Sequence, residues 1–202
     1  MAMPYNQNNH QLNPSSRWNV YIDGANLYYG ICDTAGLDQW RVDVVRMSNL
    51  LLSAWNGKLG QIKYFTTTLN GQAGWDQKRF EDDHFQCYKD QFVTFKGFNK
   101  YDSKTQKFKE KQTDVRLAAQ LVGDVCTGRC EAALVVSSDA DIAVAIEDAK
   151  YFAQGRVTVV AAFPDGQDSR AYLARADSTI RITPEIYRKS MLDFTLSRRR
   201  LV

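Results

Sequence analysis

The chain has 202 residues, of which 44% are hydrophobic and 24% are charged, with four cysteines and a formal net charge of +3. This is the composition of an ordinary globular domain, and it excludes a wholly disordered chain and a disulfide-rich scaffold. No stretch reaches the roughly 18 apolar residues of a membrane span and the amino terminus lacks the apolar centre of a secretory signal, so we expect a soluble, cytoplasmic protein that does not bind membranes.

Alternating apolar strands and amphipathic helices follow a polar segment at 1–16, which we expect to be a flexible tail. The strands are predicted from runs of β-branched and aromatic residues, and the helices from apolar residues spaced by three or four. The first predicted elements are a strand over 18–22, a polar turn over 23–26 with a helical stretch to 31, a helix over 44–54, a strand over 61–68, a loop over 70–74 and a helix capped by Asp76. A strand over 92–98 with a hairpin partner over 104–109 follows, and then a helix capped by Thr113. The last predicted elements are a strand over 132–136, a helix over 142–152, strands over 157–163 and 179–182, and a helix from Pro184 through Arg200.

Near-continuous runs of Val, Leu and Ile in these strands are typical of a parallel sheet that helices cover on both faces. We therefore expect an α/β three-layer sandwich with a mainly parallel sheet, in one domain over 17–183, followed by a helix with a basic end at 184–202. His84 lies on the apolar side of its helix. A lone histidine there is more often part of the core than of a site, so the structural interpretation is favoured.

Acidic residues are predicted where strands end and helices begin. Asp23 follows the first strand, Asp139 follows the strand over 132–136, and Asp141 begins the next helix. Since ligands gather at the carboxyl edge of an open parallel sheet, Asp23 and Asp139 are expected to converge. Asp114 begins another helix that the fold can bring to the same edge. Each acid alone is more readily explained as a turn former or a helix cap, Asp141 in particular, and only the set of four predicts a site.

Converging carboxylates repel each other unless a proton or a cation neutralises them. Their hard oxygen atoms favour Mg²⁺ or Mn²⁺ over zinc, and such ions neutralise a phosphodiester and activate water. Three polar neighbours, Asn26, Ser137 and Ser138, have two interpretations that stay open. They either orient the acids and bind ligand oxygen atoms, or they only form turns.

Three segments resemble the signature blocks of NYN domains, which are PIN-like ribonuclease folds of the LabA/DUF88 type. The segments are VYIDGANLYYG at 20–30, KEKQTDVRLAAQLV at 109–122 and LVVSSDADIAVAIEDAKYFAQGRVTVVA at 134–161. The resemblance extends over 18–183. It implies a parallel sheet of order 3-2-1-4-5 and a metal-dependent domain that cleaves RNA.

Position by position, the resemblance assigns roles to individual residues. The acidic metal-site positions of the family match Asp23, Asp114, Asp139 and Asp141. Asn26 matches the polar residue after the first acid. Ser138 departs from the pattern, because these domains often have Gly there, and its side chain is expected to narrow the pocket.

Basic and aromatic residues near the third strand suggest how RNA would bind. The segment from Lys96 to Lys111 contains six lysines and two acids, and it leads directly to Asp114. Its lysines are expected to position an RNA backbone beside the metal site. Those assigned to the substrate are Lys104, Lys107 and Lys109. Stacking on unpaired bases is a minor alternative to a core role for Tyr28, Tyr29, Phe98 and Tyr101.

The preferred interpretation is an endoribonuclease that depends on Mg²⁺ or Mn²⁺. The alternative is a module on the same fold that binds RNA or a protein without cleaving anything. A phosphatase with a D-x-D motif fits poorly because Ala25 occupies the place of the second acid, and no G-x-G-x-x-G motif supports dinucleotide binding. Sheet edges and terminal helices of this size are able to pair, so a homodimer is compatible with the sequence.

Overall fold

A computed structural model describes residues 17–36, 39–102, 107–167 and 170–192. Its strands are β1 (Arg17–Asp23), β2 (Lys58–Thr67), β3 (Phe92–Asp102), β4 (Lys107–Lys111), β5 (Ala132–Val136), β6 (Thr158–Pro164) and β7 (Ser178–Ile182). Its α-helices are α1 (Gly24–Gly30), α2 (Val44–Leu52), α3 (Gly71–Tyr88), α4 (Thr113–Cys126), α5 (Ala140–Phe152), α6 (Arg170–Leu173) and α7 (Pro184–Lys189). Among the described residues, no helix combines the length and apolar character that crossing a bilayer requires.

The strands form one sheet of order β4-β3-β2-β1-β5-β6-β7. All neighbours are parallel except β3 and β4, which form the predicted hairpin. Counted among the parallel strands alone, the order is 3-2-1-4-5-6, so the predicted order 3-2-1-4-5 is confirmed and β7 extends it. Because β1 lies between β2 and β5, the strand order reverses beside β1, which is where an open sheet forms a crevice for ligands.

Two apolar cores, one on each face of the sheet, confirm the three-layer architecture. Side chains of β1 alternate between them, with Trp18, Val20 and Ile22 on one face and Tyr21 on the other. The first core includes residues of α2 and α7, and the second includes residues of α4 and α5. Both faces of β1 are therefore buried, which explains why its sequence from Trp18 to Ile22 is apolar except at Asn19.

The predicted loop over 70–74 and the predicted cap at Asp76 are wrong, because α3 already begins at Gly71. Gly71 has φ +62°, a left-handed conformation that glycine adopts without strain. Buried Gln77 joins α3 to β2: its amide nitrogen donates to the Thr67 carbonyl at 2.6 Å, and its carbonyl accepts from the Leu69 N–H at 2.9 Å. These tertiary contacts outweigh the local turn signal.

Two other boundaries differ from the prediction. Thr113 is not a cap but the first residue of α4, and it is buried. The terminal helix α7 ends at Lys189 instead of continuing to the basic end. It stops because the following chain pairs with another segment: Met191 forms a bridge with Val42, and the Leu192 N–H donates to a carbonyl at 2.6 Å. The segments 1–16 and 193–202 lie outside the described residues.

His84 belongs to the core, as the favoured interpretation predicted. Its side chain is 1% exposed, and its Nε2 accepts a hydrogen bond from the Val44 N–H at 3.2 Å. Its Nδ1 donates to the Phe80 carbonyl oxygen at 2.8 Å. Burial lowers the pKa of His84, opposed in part by the Phe80 contact and the charge of Asp43. The neutral imidazole therefore links α3 to the start of α2.

Lowering the pH from about 7 to about 5 is expected to destabilise the protein through His84. An unfolded histidine has a pKa of about 6.5 and takes up a proton that the buried ring resists, so this stabilisation is complete above that pKa and is lost below it. The loss is at most about 1.4 kcal/mol per pH unit. Urea unfolding of the wild type and His84→Gln at both pH values measures it. Equal pH dependence in the two proteins would contradict the prediction.

A candidate acidic site at the carboxyl edge of the sheet

Asp23 and Asp139 lie at the carboxyl ends of neighbouring parallel strands. Asp23 is the last residue of β1, and Asp139 follows β5 after two serines. Each also caps the helix that follows: Asp23 accepts from the Asn26 N–H at 3.1 Å, and Asp139 accepts from the Asp141 N–H at 2.8 Å. The cap of α5 is thus Asp139 rather than Asp141. Capping accounts for the orientation of both carboxylates and leaves them at the edge where the strand order reverses.

A hydrogen-bond network joins the two acids. The buried Ser137 hydroxyl donates to Asp23 Oδ2 at 3.0 Å and accepts from the Asp139 N–H at 3.1 Å. The Asn26 amide donates to the same Asp23 oxygen at 2.7 Å. The Asn26 carbonyl accepts from the Ser138 N–H at 3.2 Å and also from the Ser138 hydroxyl. Asn26 and Ser137 therefore contact the Asp23 carboxylate directly, while Ser138 contacts it only through Asn26. Contact of the three residues with a ligand stays a prediction.

Burial and a neighbouring charge both act on Asp23, which is 5% exposed. Burial raises the pKa of Asp23, the hydrogen bonds from Asn26 and Ser137 lower it, and the charge of Asp139 raises it further, with the net direction upward. The ionised carboxylate of Asp23 is thus less stable in the protein than in water. A positive charge beside this carboxylate would restore the ionised form.

Tyr172 of α6 is part of the same edge, and the sequence did not single it out. Its ring is fully buried, and its hydroxyl donates to the Asp139 carbonyl at 2.7 Å. Its pKa is raised by burial first, and the charges of Asp23, Asp139 and Asp114 raise it further. No residue spacing signals a contact across 33 residues. Tyr172 fixes the backbone of the loop that carries Asp139.

Asp114 and Asp141 are exposed, and each lies in the first turn of its helix, α4 and α5. The negative charge of Asp114 raises the pKa of Tyr172, as do the charges of Asp23 and Asp139. Two of the four predicted acids, Asp23 and Asp139, are linked to each other by the hydrogen bonds of Ser137.

The oxygen donors fit a hard cation, although they do not form a closed cage. Within the described part of the chain, no group of three or more His, Cys, Asp or Glu side chains is arranged to hold a metal ion. Mg²⁺ commonly keeps several waters and uses one or two carboxylates together with substrate phosphates. Asp23 and Asp139 match that smaller requirement, and the raised pKa of Asp23 is the feature that a cation would reverse.

The lysines predicted to contact the substrate come from the segment that leads to Asp114. Lys104 is outside the described residues, and Lys107 and Lys109 belong to β4. The aromatic residues proposed for stacking include side chains that are 37% to 59% exposed, namely Tyr28, Phe98 and Tyr29. Tyr101 lies in β3. Their contact with RNA stays a prediction.

A solved structure has a similar fold. It is a protein of unknown function from Vibrio parahaemolyticus, which matches with a TM-score of 0.61 and 16% sequence identity, over 92% of this chain and 99% of that chain. At this identity the likeness concerns the fold alone. A comparison with curated proteins finds no match.

The family model of the NYN domain matches residues 17–183. This match covers most of the chain, from the first residue of β1 to the residue after β7, and includes all four predicted acids. The fold that it implies, a PIN-like nuclease fold, agrees with the parallel strand order. The chain therefore belongs to the NYN domain family, within the PIN-like superfamily.

Proposed function

We propose that this protein is a divalent-metal-dependent endoribonuclease that hydrolyses RNA phosphodiester bonds at the carboxyl edge of its sheet. The observation that carries the proposal is the buried Asp23, joined to Asp139 through Ser137 and raised in pKa by burial and by the second carboxylate. Such a pair favours a neutralising charge, and its oxygen atoms suit Mg²⁺ or Mn²⁺. Membership of a family that consists generally of nucleases supports the same reaction class.

Each residue at the edge has a role in this proposal. Asp23 and Asp139 are the principal ligands, while Asp114 and Asp141 are further ligands or orient the attacking water. A bound ion would neutralise the phosphodiester and lower the pKa of a water molecule. Ser137 holds the Asp23 carboxylate and the backbone of Asp139 in one orientation, and Asn26 holds Asp23 from the α1 side. This preorganisation keeps the carboxylates in place for the reaction.

Chelation and metal add-back test the proposal. We expect the purified protein to cleave single-stranded or structured RNA with Mn²⁺ or Mg²⁺, to lose the activity in EDTA by at least about 100-fold, and to regain it when either ion is returned. Product formation is followed on denaturing gels. An identically prepared Asp23→Asn protein controls for contaminating nucleases. RNA binding without metal-dependent turnover would contradict the proposal.

The alternative is an RNA- or protein-binding module without catalysis. The absence of a group of three metal-ligating side chains among the described residues favours it. Under this alternative, Asp23 is only a helix cap, and EDTA changes neither RNA binding nor the RNA itself. The same add-back assay therefore decides between the two functions.

A further inference from the structure

The strand β3 is longer than its neighbour in the parallel sheet. It pairs with β2 over Phe92 to Gly97, where β2 ends at Thr67, and then continues to Asp102 in antiparallel pairing with β4. The ribbon of 98–102 and 107–111, hereafter the arm, thus stands beyond the carboxyl edge of the sheet. At about 3.4 Å per residue, its ladder is about 15 Å long.

The strand register places the base of the arm near Asp23. Asp23 is paired with Phe65, and Phe65 with Phe95, so β3 lies two strands from Asp23. Two strand spacings correspond to about 10 Å sideways, and the three residues from Phe95 to Phe98 add about 10 Å beyond the edge. A single strand of a few nucleotides bridges such a distance.

One face of β3 and its partner strand is basic with an aromatic ring between the lysines. Lys96, Phe98 and Lys100 alternate as exposed residues, with Asn99 half-buried between the last two, and the register places exposed Lys111 opposite Phe98. The Phe98 side chain is 47% exposed. Lys96 forms an ion pair with Glu81 of α3 at 2.7 Å, which leaves the basic character of this face mainly to Lys100 and Lys111.

The backbone register extends this pattern outward. It pairs Lys100 with Lys109 and Asp102 with Lys107, at positions that share a face with Phe98. The face that carries Phe98 and Lys100 therefore continues to the outer end of the arm.

The arm leads directly into the acidic site. A Cβ at Gly97 would lie 2.4 Å from the Lys111 carbonyl oxygen and 3.0 Å from Thr113. Because glycine has no Cβ, the segment that joins β4 to α4 is able to pack closely against β3 at this point. Gln112 then has φ +79°, a left-handed conformation, and α4 begins with Asp114 in its first turn. The basic face and a proposed site acid are thus held by one tightly folded segment.

We infer that the arm is a binding surface for single-stranded RNA, in which Lys100 and Lys111 contact phosphates and the Phe98 ring stacks on an unpaired base. This inference rests on the proposed function for the identity of the polyanion. Ammonium groups contact phosphates without regard to sequence, while an exposed ring between them adds stacking that a paired base does not offer. The arm therefore selects unpaired RNA and directs it toward the carboxyl edge.

Binding measured in EDTA tests the arm separately from catalysis. The probe is a fluorescein-labelled, unstructured RNA oligonucleotide, and its anisotropy is followed over a range of salt concentrations with the full chain. Lys100→Gln and Lys111→Gln are each expected to weaken binding and to reduce the slope of log affinity against log salt by about 0.7. The matched control is Lys58→Gln, an exposed lysine at the opposite edge of the sheet, which should leave both quantities unchanged.

The aromatic contact has a different signature. Phe98→Leu is expected to weaken binding of the single strand about tenfold while leaving the salt slope unchanged, because a ring contributes stacking and no charge. Phe85→Leu is the control, since Phe85 is 63% exposed on α3 away from the arm. Duplex RNA should bind more weakly and should not respond to Phe98→Leu.

Each result has a definite meaning. Arm variants that match their controls, a wild type that binds no RNA, or a duplex that binds better without a Phe98 effect would overturn the inference. The first and the third of these results would not contradict the proposed nuclease activity, since the wild type would still cleave RNA. Conversely, arm-dependent binding without metal-dependent cleavage would support the arm and contradict the proposed nuclease.

Discussion

Asp23→Asn is expected to lower RNA cleavage by at least about 100-fold at saturating Mn²⁺. The reason is that the substitution removes the buried negative charge beside Asp139 while keeping the shape of the side chain. A metal that stabilises transition-state charge contributes several kcal/mol, and each 1.36 kcal/mol corresponds to about tenfold in rate. Initial rates on one labelled RNA, measured over a range of Mn²⁺ concentrations, give the size of the effect.

The fold should tolerate this substitution. Since burial raises the pKa of Asp23 in the folded protein, its ionised carboxylate opposes folding at neutral pH, and the neutral amide removes that cost. The amide group cannot accept at both positions, so one hydrogen bond from Asn26 or Ser137 is lost. These opposite effects leave the free energy of unfolding within about 1 kcal/mol of the wild type. RNA binding in EDTA should also persist.

Two further variants make the result specific. Asp139→Asn is expected to abolish cleavage in the same way, and Asn remains able to cap α5. Asp148→Asn changes an exposed acid on the outer part of α5 and should leave the rate unchanged. If Asp23→Asn cleaves as fast as Asp148→Asn, the carboxyl edge is not the site of hydrolysis.

The parallel core was predictable because its signal is local. Strands buried on both faces need apolar residues at every position, and the predicted strand over 132–136 coincides with β5. The placement of Asp23 and Asp139 at one edge followed from where β1 and β5 end. Strand ends in a parallel sheet share an edge whatever the intervening chain does.

Contacts between distant residues were not predictable. Gly71 has a low helix propensity, and the hydrogen bonds of Gln77 to Thr67 and Leu69, which a local reading does not anticipate, hold the helix that begins there against the end of β2. The Tyr172 contact to Asp139 depends on how α6 packs, and no periodicity encodes it. Likewise, the end of α7 depends on the pairing of Met191 with Val42.

Asp124→Ala is expected to have the largest effect on stability, a loss of about 3–5 kcal/mol. Asp124 is 1% exposed and accepts from Lys63 Nζ at 2.5 Å, from the Tyr21 hydroxyl at 2.8 Å and from Arg129 Nε at 3.1 Å. Removing it leaves the buried Lys63 ammonium with Gln120 at 2.7 Å as its remaining side-chain hydrogen-bond acceptor. An uncompensated buried charge is the cause of the loss. Chemical denaturation measures it.

A double variant separates the charge from the packing. Lys63→Met with Asp124→Ala removes both charges, and we expect it to recover a large part of the lost stability, because a buried ion pair contributes little beyond satisfying its own members. The exposed pair of Lys78 and Asp82 gives the control: Asp82→Ala should change stability by less than about 1 kcal/mol. A double variant no more stable than Asp124→Ala would instead assign the loss to the side-chain contacts that join β1, β2 and α4.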